Sequence, residues 1–197
     1  MSSYLLLNKP KGVMTATRGG AGRRTVLDFI PFSLRGEQRW YSVGLLDADS
    51  TGLVLLTDDA ELARRLDHPK LGVLKEYRAL CAGLADNEQL HKLRAGMYLV
   101  NPAADGTKTT QRAAMESVQI LKRYVDRARG DRTLLGVTVR EGEPREIRRM
   151  LARVGLKLRE LERVAIGPLR GAGLKAGATK LLGKRDVEKL RAAVLSA

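Results

Sequence analysis

Tyr41-Ser-Val-Gly-Leu-Leu-Asp-Ala-Asp-Ser-Thr-Gly-Leu-Val-Leu-Leu-Thr57 is the stretch on which the reading of the fold depends. A short apolar run stops at Asp47, turns through Asp49, Ser50, Thr51 and Gly52, and leaves again as Leu53 to Leu56. Both flanks read as buried strands, because each is short, apolar and bounded by turn-forming residues. A carboxylate delivered at the mouth of two core strands is rigidly held and partly desolvated. That position suits a nucleophile or a base, and it equally suits a structural Asx-turn. These residues alone leave both open.

Upstream, residues 4–7 form a short strand that ends in Asn8-Lys9-Pro10-Lys11-Gly12. Pro10 cannot donate to a ladder and Gly12 frees the turn, so Lys9 and Lys11 are expected to project from a tight loop. Residues 13–17 are expected to pair back as a second strand. Arg18-Gly-Gly-Ala-Gly-Arg-Arg24 reads as a flexible basic loop. It lacks the Gly-Lys-Ser/Thr ending of a P-loop, so RNA contact and an idle surface loop are both open. Residues 25–30 read as one helical turn closed by Pro31.

Downstream, Asp58 and Glu61 fit a capping box, with Leu62, Ala63 and Leu66 as the buried face of a helix that His68-Pro69 ends. Residues 73–82 have strand composition; Tyr77, near the middle, reads as packing. Residues 86–95 are a helix with Leu90 and Leu93 inward, residues 101–111 a polar loop, and residues 113–122 and 133–141 a strand pair. In Glu141-Gly-Glu-Pro-Arg-Glu-Ile-Arg-Arg-Met-Leu-Ala-Arg-Val-Gly155, Pro144 suits the first helical position and Gly155 the position after the last turn. At about 100° per residue, Ile147, Met150, Leu151 and Val154 share one face, and Arg145, Arg149 and Arg153 lie opposite. Arg148 falls at the border and can reach inward along the buried side. Residues 158–166 form a strand, and a last helix from about Arg185 turns Val187, Leu190 and Val194 inward. Interspersed strands and helices without a strict βαβ rhythm predict an α+β fold with a mixed, largely antiparallel central sheet and flanking helices.

The chain of 197 residues suffices for one full-sized domain or two lobes sharing a core, and 44% hydrophobic content supports a packed globule. No apolar run approaches the roughly 18 residues that cross a bilayer. The first residues lack the pattern of a signal peptide, so a cytoplasmic location is expected. The single cysteine, Cys81, permits neither an intrachain disulfide nor a cysteine zinc site. Thirty-six Lys and Arg against 22 Asp and Glu give a net charge of +14. Such a surplus points to a polyanion, and nucleic acid fits better than a membrane because no long basic amphipathic helix is present. Two Phe, one Trp and five Tyr argue against a sheet-borne stacking platform. Arg and Lys reading the RNA backbone should dominate.

Taken together, separated segments resemble the pseudouridine synthases of the RsuA-like family, which act on ribosomal RNA. The opening stretch is similar to that family's Gly-Arg-Leu-Asp-x-Asp-Thr/Ser-x-Gly-Leu motif. Lys75-Glu-Tyr77 is similar to its Lys-x-Tyr strand, and Glu141-Gly-Glu-Pro-Arg-Glu-Ile-Arg-Arg-Met150 to its Glu-Gly-x-x-Arg-Gln-Ile-Arg-Arg-Met. Leu7-Asn-Lys-Pro-Lys-Gly12 and Arg163-Val-Ala-Ile-Gly-Pro-Leu169 match an opening loop and a late strand. The resemblance implies a single catalytic domain over residues 1–197, two lobes around a shared sheet, and a basic cleft between them. It also implies the short branch of the family, which lacks a small N-terminal RNA-binding domain.

By this resemblance Asp47 is the nucleophile on a flipped-out uridine, Tyr77 stacks on the base and assists at C5, and Arg148 pairs with Asp47. Lys9, Lys11, Arg18, Arg23, Arg24, Lys75, Arg145, Arg149 and Arg153 bind RNA, chiefly through its phosphates. No metal, ATP or organic cofactor is implied. The partner is ribosomal RNA, of the large subunit; no membrane or obligate protein partner is implied, and the expected state is a monomer. One departure stands out: where the family has Arg two residues before the aspartate, this chain has Leu45. Glu146, where Gln is common, is a milder one. Two rivals remain. One is a ribosomal-RNA-binding or assembly factor that kept the scaffold and lost the chemistry. The other is a Mg²⁺-dependent phosphohydrolase of the haloacid-dehalogenase type, which shares an Asp-x-Asp-x-Thr strand end but needs a later acidic pair that no apolar strand supplies. An EF-hand fails because strands, not helices, flank the loop.

Overall fold

The computed structural model describes residues 2–16, 22–68, 73–102, 108–140 and 145–195. In chain order its elements are β1 (Tyr4–Lys9), β2 (Tyr41–Val43), β3 (Thr51–Thr57), α1 (Ala60–Leu66), β4 (Lys75–Ala82), α2 (Asn87–Ala95) and β5 (Met97–Pro102). They continue with β6 (Lys108–Ala113), β7 (Ser117–Tyr124), β8 (Arg132–Val139), α3 (Glu146–Arg153), β9 (Lys157–Ile166), β10 (Leu169–Arg170), β11 (Thr179–Leu181) and α4 (Lys184–Leu195). The fold is α+β, with a mixed, mostly antiparallel central sheet, as the sequence pattern predicts. Its contacts divide the chain into two compact units, Met1–Glu76 with Glu162–Ala197, and Tyr77–Leu161.

The first unit is built on β3. Along one edge β1 pairs antiparallel with its whole length, from Tyr4 opposite Thr57 to Lys9 opposite Gly52. The other edge is shared. β2 pairs antiparallel with residues 55–57, and β9 pairs in parallel with Thr51 and Gly52. Residues 44–50, between β2 and β3, therefore leave the ladder and close as a turn. Residues 53–56 are all within 2% of complete burial, which explains their unbroken apolar run. Leu6, Leu53 and Leu55 pack with Leu62, Ala63 and Leu66 of α1 and Leu190 and Val194 of α4. Each such side chain contributes about 1.5–3 kcal/mol when taken out of water. Edge strand β11, too short and polar to read in sequence, adds to β1 through Leu5 opposite Leu181.

In the second unit β8 lies between β4 and β7. Its alternate residues Thr133, Leu135, Val137 and Val139 are buried, the period-2 pattern expected of a strand with one covered face. Helix α2 begins at Asp86, whose Oδ1 accepts from the Gln89 amide, while the Gln89 side chain accepts from the Asp86 amide. Leu90 and Leu93 are its buried face. In α3 Ile147, Met150 and Leu151 are buried as the periodicity requires, and Gly155 follows the last turn at φ +81°. Pro144 lies outside the described residues.

Three local expectations are corrected. The N-cap of α1 is Asp59, not Asp58: Asp59 Oδ1 accepts from the Leu62 amide at 2.9 Å. Asp58 instead accepts from the Ser3 amide at 2.8 Å. Two adjacent aspartates satisfy the same capping rule, and the end of the β1–β3 ladder at Thr57 decides which of them is in place. Residues 101–111 are not simply a loop, since β5 and β6 form a hairpin with Asn101 opposite Thr109. It is a polar ribbon in which Leu99 and Ala113 are buried, so hydrophobic alternation gives almost no signal. Residues 13–16 form no strand. Met14 only bridges Thr25 in parallel, and Thr15 serves the turn described next.

Candidate active site

Asp47 sits in a turn whose backbone is fastened at nearly every residue. Thr15, buried, places its hydroxyl 3.3 Å from both the amide and the carbonyl oxygen of Leu46. The Ser42 hydroxyl donates to the Thr15 carbonyl at 2.9 Å. The Gly12 amide donates to the Ala48 carbonyl at 2.6 Å, and the Ser50 amide closes back on the Asp47 carbonyl at 3.0 Å. The loop after β1 and the turn before β3 thus hold each other. Ser50 is fully buried, Asp47 is half-buried, and Asp49 and Ala48 are exposed. Satisfied backbone groups at this density fix where a side chain points, as a reacting group requires.

The entry to the turn is held by two charged side chains, the partly exposed Asp67 and the fully buried Arg163. The Gly44 amide donates to Asp67 Oδ1 at 2.6 Å, and its carbonyl accepts from Arg163 Nη2 at 2.9 Å. Gly44 has φ +71°, and a Cβ there would lie 2.7 Å from Arg163 Nη1, so glycine is required both for backbone conformation and for space. Arg163 is fully buried and also donates from Nε to the Leu53 carbonyl at 2.6 Å. Burial raises the Asp67 carboxyl pKa, against the opposing pull of Lys75, the Gly44 amide and Arg163. Neither Arg163 nor Asp67 was singled out as a functional position from sequence. The available signal was an arginine directly ahead of the apolar run Val164-Ala-Ile166.

Two of the expected RNA contacts are corrected. Lys9 does not project: it is fully buried, and its Nζ donates to the carbonyls of Val13 at 2.9 Å and Pro10 at 3.1 Å. Asp49 and Asp47 are near enough to favour its charge. Lys75 is also buried, with Nζ 4.0 Å from Asp67 Oδ1. Both ammonium groups neutralise the interior beside the turn instead of meeting phosphates. Sequence favours the wrong reading because lysine is mostly exposed and is buried only with partners that come from elsewhere in the chain.

Other expected contacts remain on the surface. Lys11, Arg23 and Arg24 are exposed, with the Arg24 guanidinium 4.9 Å from the Phe29 ring centroid. Arg18 lies outside the described residues. Leu45 is 71% exposed, so the residue at the position where the family motif leads one to expect arginine is no core leucine.

In the second unit, Tyr77 is 1% exposed near the start of β4; stacking on a base requires that ring to be uncovered. Arg148 is half-buried on α3, as a border position predicts. Arg145 and Arg153 are exposed, and Arg145 holds the left-handed conformation at φ +57° before the helix. Arg149 does not belong to the outward face. Its Nη1 donates to Asn101 Oδ1 at 2.6 Å and its Nη2 to the Val100 carbonyl, tying α3 to β5. That contact depends on the hairpin, which the sequence reading lacked. Glu146, expected near the site, is buried, only 9% exposed.

A family model described as RNA pseudouridylate synthase matches residues 3–153. Ribosomal large subunit pseudouridine synthase B of Bacillus subtilis is 35% identical over 192 residues, spanning 96% of this chain and 71% of that protein. An uncharacterized RNA pseudouridine synthase of Mycobacterium tuberculosis is 36% identical over 191 residues, spanning 97% and 70%. A crystal structure of a pseudouridylate synthase aligns with TM-score 0.77 and 28% identity, covering 96% of this chain and 74% of that one. Human RNA pseudouridylate synthase domain containing 1 aligns with TM-score 0.60 over 96% and 91% at 14% identity, a likeness of fold alone. The chain belongs to the RNA pseudouridylate synthase family, and it is an isomerase that converts uridine to pseudouridine in RNA.

Proposed function

We propose that the substrate is ribosomal RNA of the large subunit and that Asp47 is the nucleophile. The observation that carries the site assignment is the braced turn: a half-buried carboxylate on a fixed backbone, with the buried Lys9 ammonium close enough for its charge to be felt. The substrate class is supported by the Bacillus subtilis relative, named a ribosomal large subunit pseudouridine synthase. The target uridine leaves its stack before chemistry begins. The Asp47 carboxylate then adds to C1′ or to C6, the C1′–N1 bond breaks, and the uracil turns in place. A C1′–C5 bond forms, the C5 proton is lost, N1 gains a proton and the carboxylate is released, so atoms and charge balance without a co-reactant. In the RNA-bound enzyme Arg148 is assigned to the Asp47 carboxylate and Tyr77 to the base, a contact for which the buried Tyr77 ring must first be uncovered. The expected cytoplasmic location and monomeric state belong to the same proposal.

Mapping pseudouridine in ribosomal RNA from cells with and without this protein tests the substrate. A site lost with the protein, and restored by wild type but not by Asp47→Asn, is the expected result. In vitro, Asp47→Asn should lower the rate on the order of 10⁴-fold or more while RNA binding persists. No lost site, together with no activity on deproteinised RNA, sinks the proposal. It leaves a second reading that the exposed Leu45 favours, a ribosomal-RNA-binding factor that kept the scaffold and lost the chemistry. In that case Asp47→Asn is silent.

A further inference from the structure

The turn between β7 and β8 takes no part in the chemistry proposed above, yet it gathers charge. Lys122-Arg-Tyr-Val-Asp-Arg-Ala-Arg-Gly-Asp-Arg132 sets five cations against two acids. Both acids are engaged by the turn itself. Asp126 Oδ1 accepts from the amides of Ala128 at 3.0 Å and Arg129 at 2.9 Å, and its Oδ2 lies 3.4 Å from Arg132 Nη2. Asp131 Oδ1 accepts from the Asp126 amide at 3.1 Å, and the Asp131 carbonyl accepts from the Gly83 amide at 2.7 Å. The backbone of the turn is thereby fixed. Its outer cations are not so engaged. Lys122, Arg127 and Arg129 are exposed, and the guanidinium groups of Arg127 and Arg129 meet no acceptor among the described residues. Behind them the Tyr124 ring centroid has the Lys122 ammonium at 4.9 Å and the Arg132 guanidinium at 5.4 Å.

We propose that this turn is a second RNA-docking element, in which Arg127 and Arg129 hold backbone phosphates of a stretch remote from the reacting uridine. The inference rests on RNA being the substrate. The position of the turn makes the contact remote. The Thr133 hydroxyl donates to the Gly83 carbonyl at 2.8 Å and accepts from the Ala85 amide at 2.9 Å, which sets the turn beside the end of β4. Tyr77 is six residues before Gly83, roughly 20 Å away at about 3.3 Å per residue of strand. The chemistry of the turn selects the partner. Like charges brought together on a fixed backbone repel one another, and a polyanion laid across them relieves that repulsion. A guanidinium fork matches a phosphate, and a turn already ordered loses little entropy on binding. With both carboxylates turned inward, the turn is built for the RNA backbone and not for base edges. Val125, 75% exposed, is the one large apolar side chain of the turn, too little to anchor it in a bilayer.

The test compares two variants that each remove two exposed cations. One is Arg127→Gln with Arg129→Gln; the other is Arg185→Gln with Lys189→Gln, on α4 of the first unit. Binding to deproteinised ribosomal RNA is measured over a range of salt concentrations. The turn variant should bind about 5- to 20-fold more weakly and flatten the slope of log affinity against log salt by about one to two units. The α4 variant should stay close to wild type. Equal losses in the two variants show an effect of net charge only, and unchanged affinity in the turn variant shows a solvated surface only. Unchanged RNA affinity with lost binding to vesicles of equal parts phosphatidylserine and phosphatidylcholine assigns the turn to a membrane. Each of these three outcomes overturns the proposal. At saturating RNA the turn variant should keep the wild-type kcat, because its side chains touch no reacting atom; a lowered kcat also overturns the proposal. Binding is measured without turnover, so a failed binding result leaves the isomerase activity and its Asp47 nucleophile standing. A wild-type protein without activity on this RNA weighs only on the latter.

Discussion

At the scale of single residues, Leu45 and Asp47 present opposite cases. Asp47 is half-buried and backed by a fixed backbone, whereas Leu45, two residues earlier, is 71% exposed and supports nothing. An exposed leucine on a basic protein that acts on RNA can be exchanged for arginine without disturbing a core. Leu45→Arg should leave stability within about 0.5 kcal/mol of wild type. It should tighten RNA binding about three- to tenfold by adding one charge-assisted contact. Filter binding alongside chemical denaturation checks both. Unchanged affinity means that another cation already supplies the contact. Cys81, by contrast, is a residue to set aside: burial pushes its thiol up to about 11, so it is not a reactive group at neutral pH.

The element that matters most is the crossing of β3 and β9 at the mouth of the site. Gly52, at φ +109°, faces Arg163 in the parallel register, and a Cβ there would stand 2.2 Å from the Arg163 carbonyl oxygen. No side-chain rotation relieves a clash with backbone. Gly52→Ala should therefore cost about 3 kcal/mol or more. The loss should appear as a lowered denaturation midpoint accompanied by lost activity, because the same displacement moves Arg163 and with it Gly44. A mild loss with full activity would show that the strands slide apart freely and that the turn is not held through them.

Across the whole molecule, the surplus of 14 positive charges makes affinity for RNA dependent on salt. Single-stranded contacts give a slope of about −0.7 in log affinity against log salt for each phosphate neutralised. Arg23 and Arg24 are exposed, and replacing both with Gln should flatten that slope by about one to two units. An unchanged slope would place the RNA elsewhere. Stability carries a pH signature from Lys9, which burial, reinforced by the Arg163 charge, lowers from 10.5 to about 8 against the pull of Asp49 and Asp47. Between about pH 8 and 10.5 the unfolded chain holds this proton and the folded protein sheds it. Stability therefore rises with pH across that window, while below about 8 the cost of the buried charge is fully present. Measured as a difference between wild type and Lys9→Met, this rise should be seen in wild type and missing in the variant.

The sequence by itself determined the α+β class, β3 as a buried core strand, the helix faces, the basic character and the family. Each rests on a local pattern that repeats every two or 3.6 residues, on composition, or on motifs that keep their order. It also brought out Asp47 and the border position of Arg148, because a carboxylate between apolar strands and an angle around a helix are both local facts. Tertiary structure alone decided that Lys9 and Lys75 are buried, that Asp59 caps α1, and that Arg149 fastens a hairpin. It also decided that Arg163 holds Gly44 from 119 residues away. Those outcomes depend on which carbonyls and carboxylates arrive from distant parts of the chain. A lysine or arginine looks the same in sequence whether it meets water, a phosphate or a buried oxygen.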